Sequence, residues 1–123
     1  MPVNIPSVFN AAFNARFAWN GRFTDVGEQL DFAIAAPAAM AGSWQHAAEV
    51  LARDAGLRDA FLAIYPGGVS AGAVREVLAL YCLSLVTPNA RFDRFLRSEL
   101  QLTDAEQRGY DLFREYGCIS CHQ

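Results

Sequence analysis

From residue 24 onward the apolar positions of this chain recur at helical spacing, cut into short runs by caps and breakers. Thr24 or Asp25 can cap a helix that brings Leu30, Phe32, Ala33 and Ile34 near one face before Pro37 stops it. Ser43 caps the next, with Trp44, Ala47, Val50 and Leu51 in helical register. Gly56 interrupts, and residues 57–65 read as a further short helix ended by the turn Pro66-Gly67-Gly68. Ser70 opens the strongest helix, whose stripe is Val74, Val77, Leu78, Tyr81, Cys82 and Leu85, with Pro88 closing it. A short helix over 90–97 follows. Thr103-Asp104-Ala105-Glu106 is then a capping box, in which hydroxyl and carboxylate satisfy each other's end amides. It starts a helix through Leu112 and Phe113 to Tyr116, where Gly117 supplies a left-handed stop. The first 22 residues, with Pro2, Pro6, several asparagines and Gly21, read as irregular and carry Phe9, Phe13, Phe17 and Trp19. No strand-like alternation competes. The expectation is an all-α chain of five or six short helices.

Composition narrows this picture. A length of 123 residues leaves room for one domain with a modest core. The uncharged run over 77–86, with no acid or base in it, is about half the ~20 residues a spanning helix needs, so no membrane span is expected. The net charge of -3 comes from 13 acids against 10 bases, all ten of them arginine, and no basic patch points to nucleic acid. The opening MPVNIPSVFN lacks the charged and apolar regions of a signal peptide. Three cysteines are too few for a disulfide scaffold, and Cys82, in LALYCLSLV, reads as a small buried thiol.

The other two cysteines carry the chemistry. Cys118, Cys121 and His122 form C-x-x-C-H, the pattern by which c-type cytochromes hold haem covalently. Two thiols add across the porphyrin vinyl groups, the two intervening residues place both sulfurs on one side of a turn, and the next imidazole is the proximal iron ligand. Leu112, Phe113 and Tyr116 would give apolar cover at the ring edge. Two other readings stay open on these residues alone. A zinc site would need a fourth ligand, for which Cys82 or His46 remains. A redox C-x-x-C would be expected beside a βαβ pattern, which is absent.

The surrounding sequence resembles the bacterial di-haem cytochrome c peroxidase family, which includes the MauG-type enzymes. The resemblance runs from Asn4 to His122 through NIPSVFNAAFN, FAWNGR, Glu28-Gln29, TPNARFDRFL and LTDAEQRGYDLFREYGCISCH, in that order. It implies a cytochrome c-like, incomplete helical arrangement. Residues 1–100 would correspond to the later part of the peroxidatic-haem domain. Residues 101–123 would supply the first helix and attachment motif of the second, electron-entry haem. Trp19 matches the tryptophan that lies between the two haems and is the electron-transfer candidate. A core or interface indole is its alternative role. Cys118, Cys121 and His122 match the second haem's attachment site, with His122 on the iron. The resemblance further implies one haem c if the chain is loaded, a periplasmic location, and a redox partner or the parent's remaining domains as partners.

The departures are equally specific. The family's first C-x-x-C-H, its distal histidine loop and the methionine that completes the second haem have no counterpart here. The family's glutamine is retained as Gln29, but the glutamate ten residues on, which helps move protons during peroxide cleavage, is replaced by Ala39 in Ala36-Pro37-Ala38-Ala39-Met40. General acid–base help of that kind is worth about 10²–10⁴ in rate, so this chain alone is expected to be inactive as a peroxidase, as a fragment or truncated relative would be. His46 and Met40 read as surface and packing residues. Arg91, Arg94 and Arg97 read as a solvated charged face, with haem propionates as their alternative partners. Three functions follow as expectations: a haem c electron-transfer segment, a haem-free helical domain that associates into oligomers through exposed apolar surface, or a zinc-binding module.

Overall fold

The structure, a computed structural model, describes residues 6–122. It holds six α-helices and two single 3-10 turns; among the described residues the sole extended pairing is an isolated antiparallel bridge between Phe17 and Phe23. No helix there is long and apolar enough to cross a membrane. The all-α expectation holds. Contacts divide the chain into two compact units, one ending at Val86 and the other beginning at Thr87.

In the first unit, residues 6–24 are irregular around a 3-10 turn at Ala11–Phe13. Helix α1 spans Val26–Ala35, α2 Trp44–Leu51, α3 Ala55–Ile64 and α4 Ala71–Ser84. Each starts at a side-chain cap: Asp25 accepts the Glu28 N–H, Ser43 that of His46, Asp54 that of Leu57 and Ser70 that of Ala73. Gly56 does not interrupt α3 as its sequence position suggests. The Asp54 cap starts the helix ahead of it, and the glycine is accommodated in the first turn.

Helix α4 is the axis of this unit and packs on both α1 and α2. Its buried positions are Ala73, Val74 and Cys82, and Leu78, Ala79 and Leu83 join the core around Ala11, Phe17 and Val26. Val77 and Tyr81, which the sequence places on the buried stripe, are exposed, as is Leu80. From Val77 onward this helix has apolar residues on every side, so periodicity alone does not choose the inner face. On α1, Leu30, Ala33 and Ile34 are half-buried, whereas Phe32 projects outward with the Arg22 guanidinium 3.9 Å from its ring centroid. Asp31 ties three helices together. It accepts Arg75 Nε at 2.7 Å and Nη2 at 2.8 Å from α4, and Trp44 Nε1 at 2.8 Å from α2. The Arg75 bonds, helped by Trp44, hold its carboxyl below the ordinary value against the opposing effect of burial.

The second unit is a two-helix arrangement: α5 at Arg91–Leu96, α6 at Asp104–Glu115, then a 3-10 turn at Cys118–Ser120. Phe92 and Phe95 of α5 meet Tyr110 of α6 edge-on, at centroid distances of 5.2 and 5.9 Å. None of its described residues is buried. These rings join α5 to α6, and the boundary between the two compact units falls between Val86 and Thr87.

Candidate functional site

The terminal motif is built by the end of α6. Thr103 Oγ1 accepts the Glu106 N–H while Glu106 Oε2 accepts the Thr103 N–H at 2.7 Å, the reciprocal box the sequence announces. At the other end, Tyr116 N–H reaches Leu112 O at 2.9 Å and Gly117 N–H reaches Arg114 O at 3.1 Å. Gly117 then turns left-handed at φ +73°, in open space, so its requirement is conformational and not steric. The chain closes one tight turn: Ser120 N–H donates to Gly117 O at 3.0 Å, and Cys118 O accepts both Cys121 N–H at 3.2 Å and His122 N–H at 3.0 Å. In 3-10 geometry residues three apart eclipse one another, so this turn sets positions 118 and 121 on one side. Both thiols are free and exposed.

His122 lines a groove of about 640 Å³. Its walls are Phe92 and Leu96 from α5, Leu102 from the connection, Tyr110 and Phe113 from α6, and Ile119 from the turn. The polar lining is the pair Arg91 and Glu106, joined by Nε–Oε1 at 2.8 Å and Nη2–Oε2 at 3.2 Å. Arg91 also donates to Gln101 O. Arg91 above all, then Thr103, hold the Glu106 carboxyl down at about 2. An open apolar groove, an imidazole on its wall and two free thiols on one turn are a donor set that fits a covalently held porphyrin.

The family model for di-haem cytochrome c peroxidase matches residues 1–101. The chain belongs to that family. It is 36% identical over 123 residues to the cytochrome c peroxidase of Escherichia coli, a match covering 98% of the chain and 26% of that relative. Identity to the cytochrome c551 peroxidase of Pseudomonas aeruginosa is 35% over 125 residues, covering 98% and 36%. A crystal structure of a MauG-like protein associated with microbial copper homeostasis superposes with a TM-score of 0.84 at 29% identity, covering 99% of this chain and 38% of that one. The chain therefore spans about a quarter to a little over a third of the length of these relatives.

Trp19, Gln29, Ala39, Met40, His46 and Cys82 of this peroxidase-family chain fall in the first unit. Trp19 is 67% exposed on the turn after Phe17, and Gln29 sits on α1 beneath it. The two line one groove of about 290 Å³ with Phe9, Asn14, Arg16 and Phe17. Gln29 Oε1 accepts the Ala18 N–H at 2.8 Å. Ala39 lies in the turn after α1, its N–H on Ala36 O, and brings no acid there. Met40 is 69% exposed, so it does not pack as expected. His46 is exposed on α2, and Cys82 is a core thiol whose pKa burial pushes up.

Among the described residues no group of three or more His, Cys, Asp or Glu side chains gathers to hold a metal ion, so the zinc reading gains no donor set. Arg94 and Arg97 are engaged with Glu99, at 3.5 and 2.6 Å, which is the charged face expected of them. Sequence reading did not separate Arg91 from these two. Its partner Glu106 is visible in the sequence as a cap residue, but a second role for a cap carboxylate has no sequence signal.

Proposed function

We propose that the chain is a haem c-binding, electron-transfer segment of a di-haem cytochrome c peroxidase-like protein. In this reading residues 1–100 belong to the later part of the peroxidatic-haem domain and residues 101–123 begin the second haem domain. The observation that carries it is the tight turn that sets Cys118 and Cys121 on one side while His122 faces an apolar groove. Cys118 and Cys121 would hold the porphyrin by thioether bonds, His122 would bind its iron, and Phe92, Phe113 and Ile119 would exclude water from the site. When bound, haem c supplies a one-electron iron couple. Trp19, held by the Gln29-anchored turn, is the aromatic side chain proposed to pass electrons.

The chain by itself is proposed to lack peroxidase turnover, because Ala39 leaves the proton-moving position without a carboxylate. Export with c-type haem maturation machinery, followed by intact mass under denaturing conditions, tests the reading. A mass excess of one haem, lost in the C118A/C121A double variant, is the expected result; the bare polypeptide mass from matured, exported protein overturns it.

A haem-free association domain is the second reading. Ile64, Leu80 and Tyr81 in the first unit and Leu96 in the second are all more than half exposed, which favours burial against another surface. Sedimentation of the colourless protein would then give a dimer or larger species, and a monomer would exclude it.

A further inference from the structure

Two opposite charges line the groove that His122 faces, and their positions are fixed by several bonds at once. Glu106 Oε2 accepts the Thr103 N–H at 2.7 Å and the Thr103 hydroxyl at 2.9 Å, so the cap of α6 holds its carboxylate in place. Arg91 meets that carboxylate through both Nε and Nη2 and is anchored a second time on Gln101 O at 3.1 Å. The other ion pairs of this unit, Arg94 and Arg97 with Glu99, do not line the groove.

We propose that Arg91 and Glu106 form a balanced charge pair that sets the reduction potential of the haem attached at Cys118 and Cys121; the inference rests on the haem reading above. Reduction adds one negative charge to the iron centre. A nearby cation therefore favours the reduced form and a nearby anion the oxidised form. Joined, the two charges largely cancel at a distance, and removing either exposes the other. Glu106→Gln leaves the Arg91 cation and raises the potential. Arg91→Gln leaves the Glu106 anion, still held by Thr103, and lowers it. The double variant returns toward the parent value. A loosening of the groove behaves differently: either substitution would admit water, and both single variants would move the potential in the same direction.

The experiment is a redox titration of the full chain carrying haem, with R91Q, E106Q, the double variant and R97Q as the off-groove control. Expected are shifts of opposite sign for the two single variants, each about tenfold in the one-electron equilibrium or 59 mV. Both should shrink when salt is raised from about 0.01 to 1 M, because the pair is half-exposed and the screening length falls from about 30 to 3 Å. R97Q should leave the potential in place. Should E106Q fail to fold through loss of its cap, R91Q, which leaves the Thr103 box intact, still has to give a salt-sensitive fall. Same-sign shifts, or a salt-insensitive change in R91Q, overturn the charge-pair role while leaving the haem reading intact. A chain that takes up no haem overturns both.

Discussion

Gln29 Oε1 accepts the backbone N–H of Ala18 at 2.8 Å, across eleven residues of chain, and Ala18 is held at φ +63°. An L-residue with a Cβ pays roughly 1–2 kcal/mol for that left-handed conformation, and here the neighbouring residues hold it on both sides. Gly21 N–H donates to Ala18 O at 3.0 Å, and Phe17 and Phe23 exchange bonds at 3.1 and 3.4 Å across the base of the turn. Trp19, at the tip, is thus presented by a closed hairpin fastened to α1 by the Gln29 side chain.

Replacing Gln29 with leucine removes the one side-chain acceptor for that N–H and should free the turn without unfolding the helix. Loss of a single neutral hydrogen bond costs about 1 kcal/mol. The readout is Trp19 fluorescence in a Trp44→Phe background, where Gln29→Leu should lower the steady-state anisotropy. Unchanged anisotropy would mean that the hairpin holds Trp19 without Gln29.

Ala18→Gly tests the same strain from the other side. Glycine removes the left-handed penalty but loses more chain entropy on folding, by roughly 0.5–1 kcal/mol. The net expectation is a small gain in stability, under about 1 kcal/mol, seen as a higher urea midpoint with an unchanged slope. Destabilisation would show that Ala18 is not strained in solution.

Gly27 and Arg75 make a sharper test of packing. A Cβ built on Gly27 would lie 2.6 Å from Arg75 Nη2, a group that Asp31 pins with two bonds. Gly27→Ala should therefore destabilise the first unit, although alanine in a helix interior is ordinarily favoured over glycine by about 1 kcal/mol. In an Arg75→Ala background the obstruction is gone, and the same substitution should become stabilising. Additive effects in the double variant would show that the guanidinium does not sit against Gly27.

How far the sequence anticipates this structure depends on the range of each signal. Local signals transfer well. Ser43, Ser70 and the Thr103–Glu106 box mark helix starts because a cap is satisfied within three residues of itself, and Gly117 marks a stop for the same reason. Choices set by the rest of the fold do not transfer. On α4, Val77 and Tyr81 are as apolar as the residues that are buried, and only the placement of α1 and α2 selects Ala73, Val74 and Cys82 as the inner face. For the candidate site, the motif residues are legible as a linear pattern, and Gln29 only through the family resemblance. The Gln29–Ala18 bond and the place of Arg91 on the groove depend on distant parts of the chain meeting, which spacing along it does not encode.

The left-handed residue before the motif gives a prediction on haem uptake. Gly117→Ala forces a Cβ into φ +73°, at a cost of about 1–2 kcal/mol, in the turn that leads into the motif. The expected outcome is a lower yield of covalent haem under limiting maturation, measured by haem staining after denaturing electrophoresis. C118A and C121A should each retain stainable haem through the remaining thioether, and the double variant none. Equal yield from Gly117→Ala and the parent would show that the turn forms only once the porphyrin arrives.

Acid should weaken the second unit through Glu106. Its carboxyl is held at about 2 in the folded chain, against an ordinary value near 4.5, chiefly by the Arg91 guanidinium and then by Thr103. A depressed folded pKa means that the unfolded chain takes up its proton first as pH falls. The stabilisation is therefore complete above about pH 5 and drains away as pH drops toward about 2. Glu99, lowered mainly by Arg97, acts in the same direction. Because Arg91 and Glu106 are both about half exposed, salt should blunt the effect. Helicity followed by circular dichroism during thermal melts between about pH 6 and pH 2.5 should show the midpoint falling with acid, and falling less in E106Q, which has no proton to gain there. An equal fall in the variant would assign the acid sensitivity to other carboxylates, Asp31 first among them.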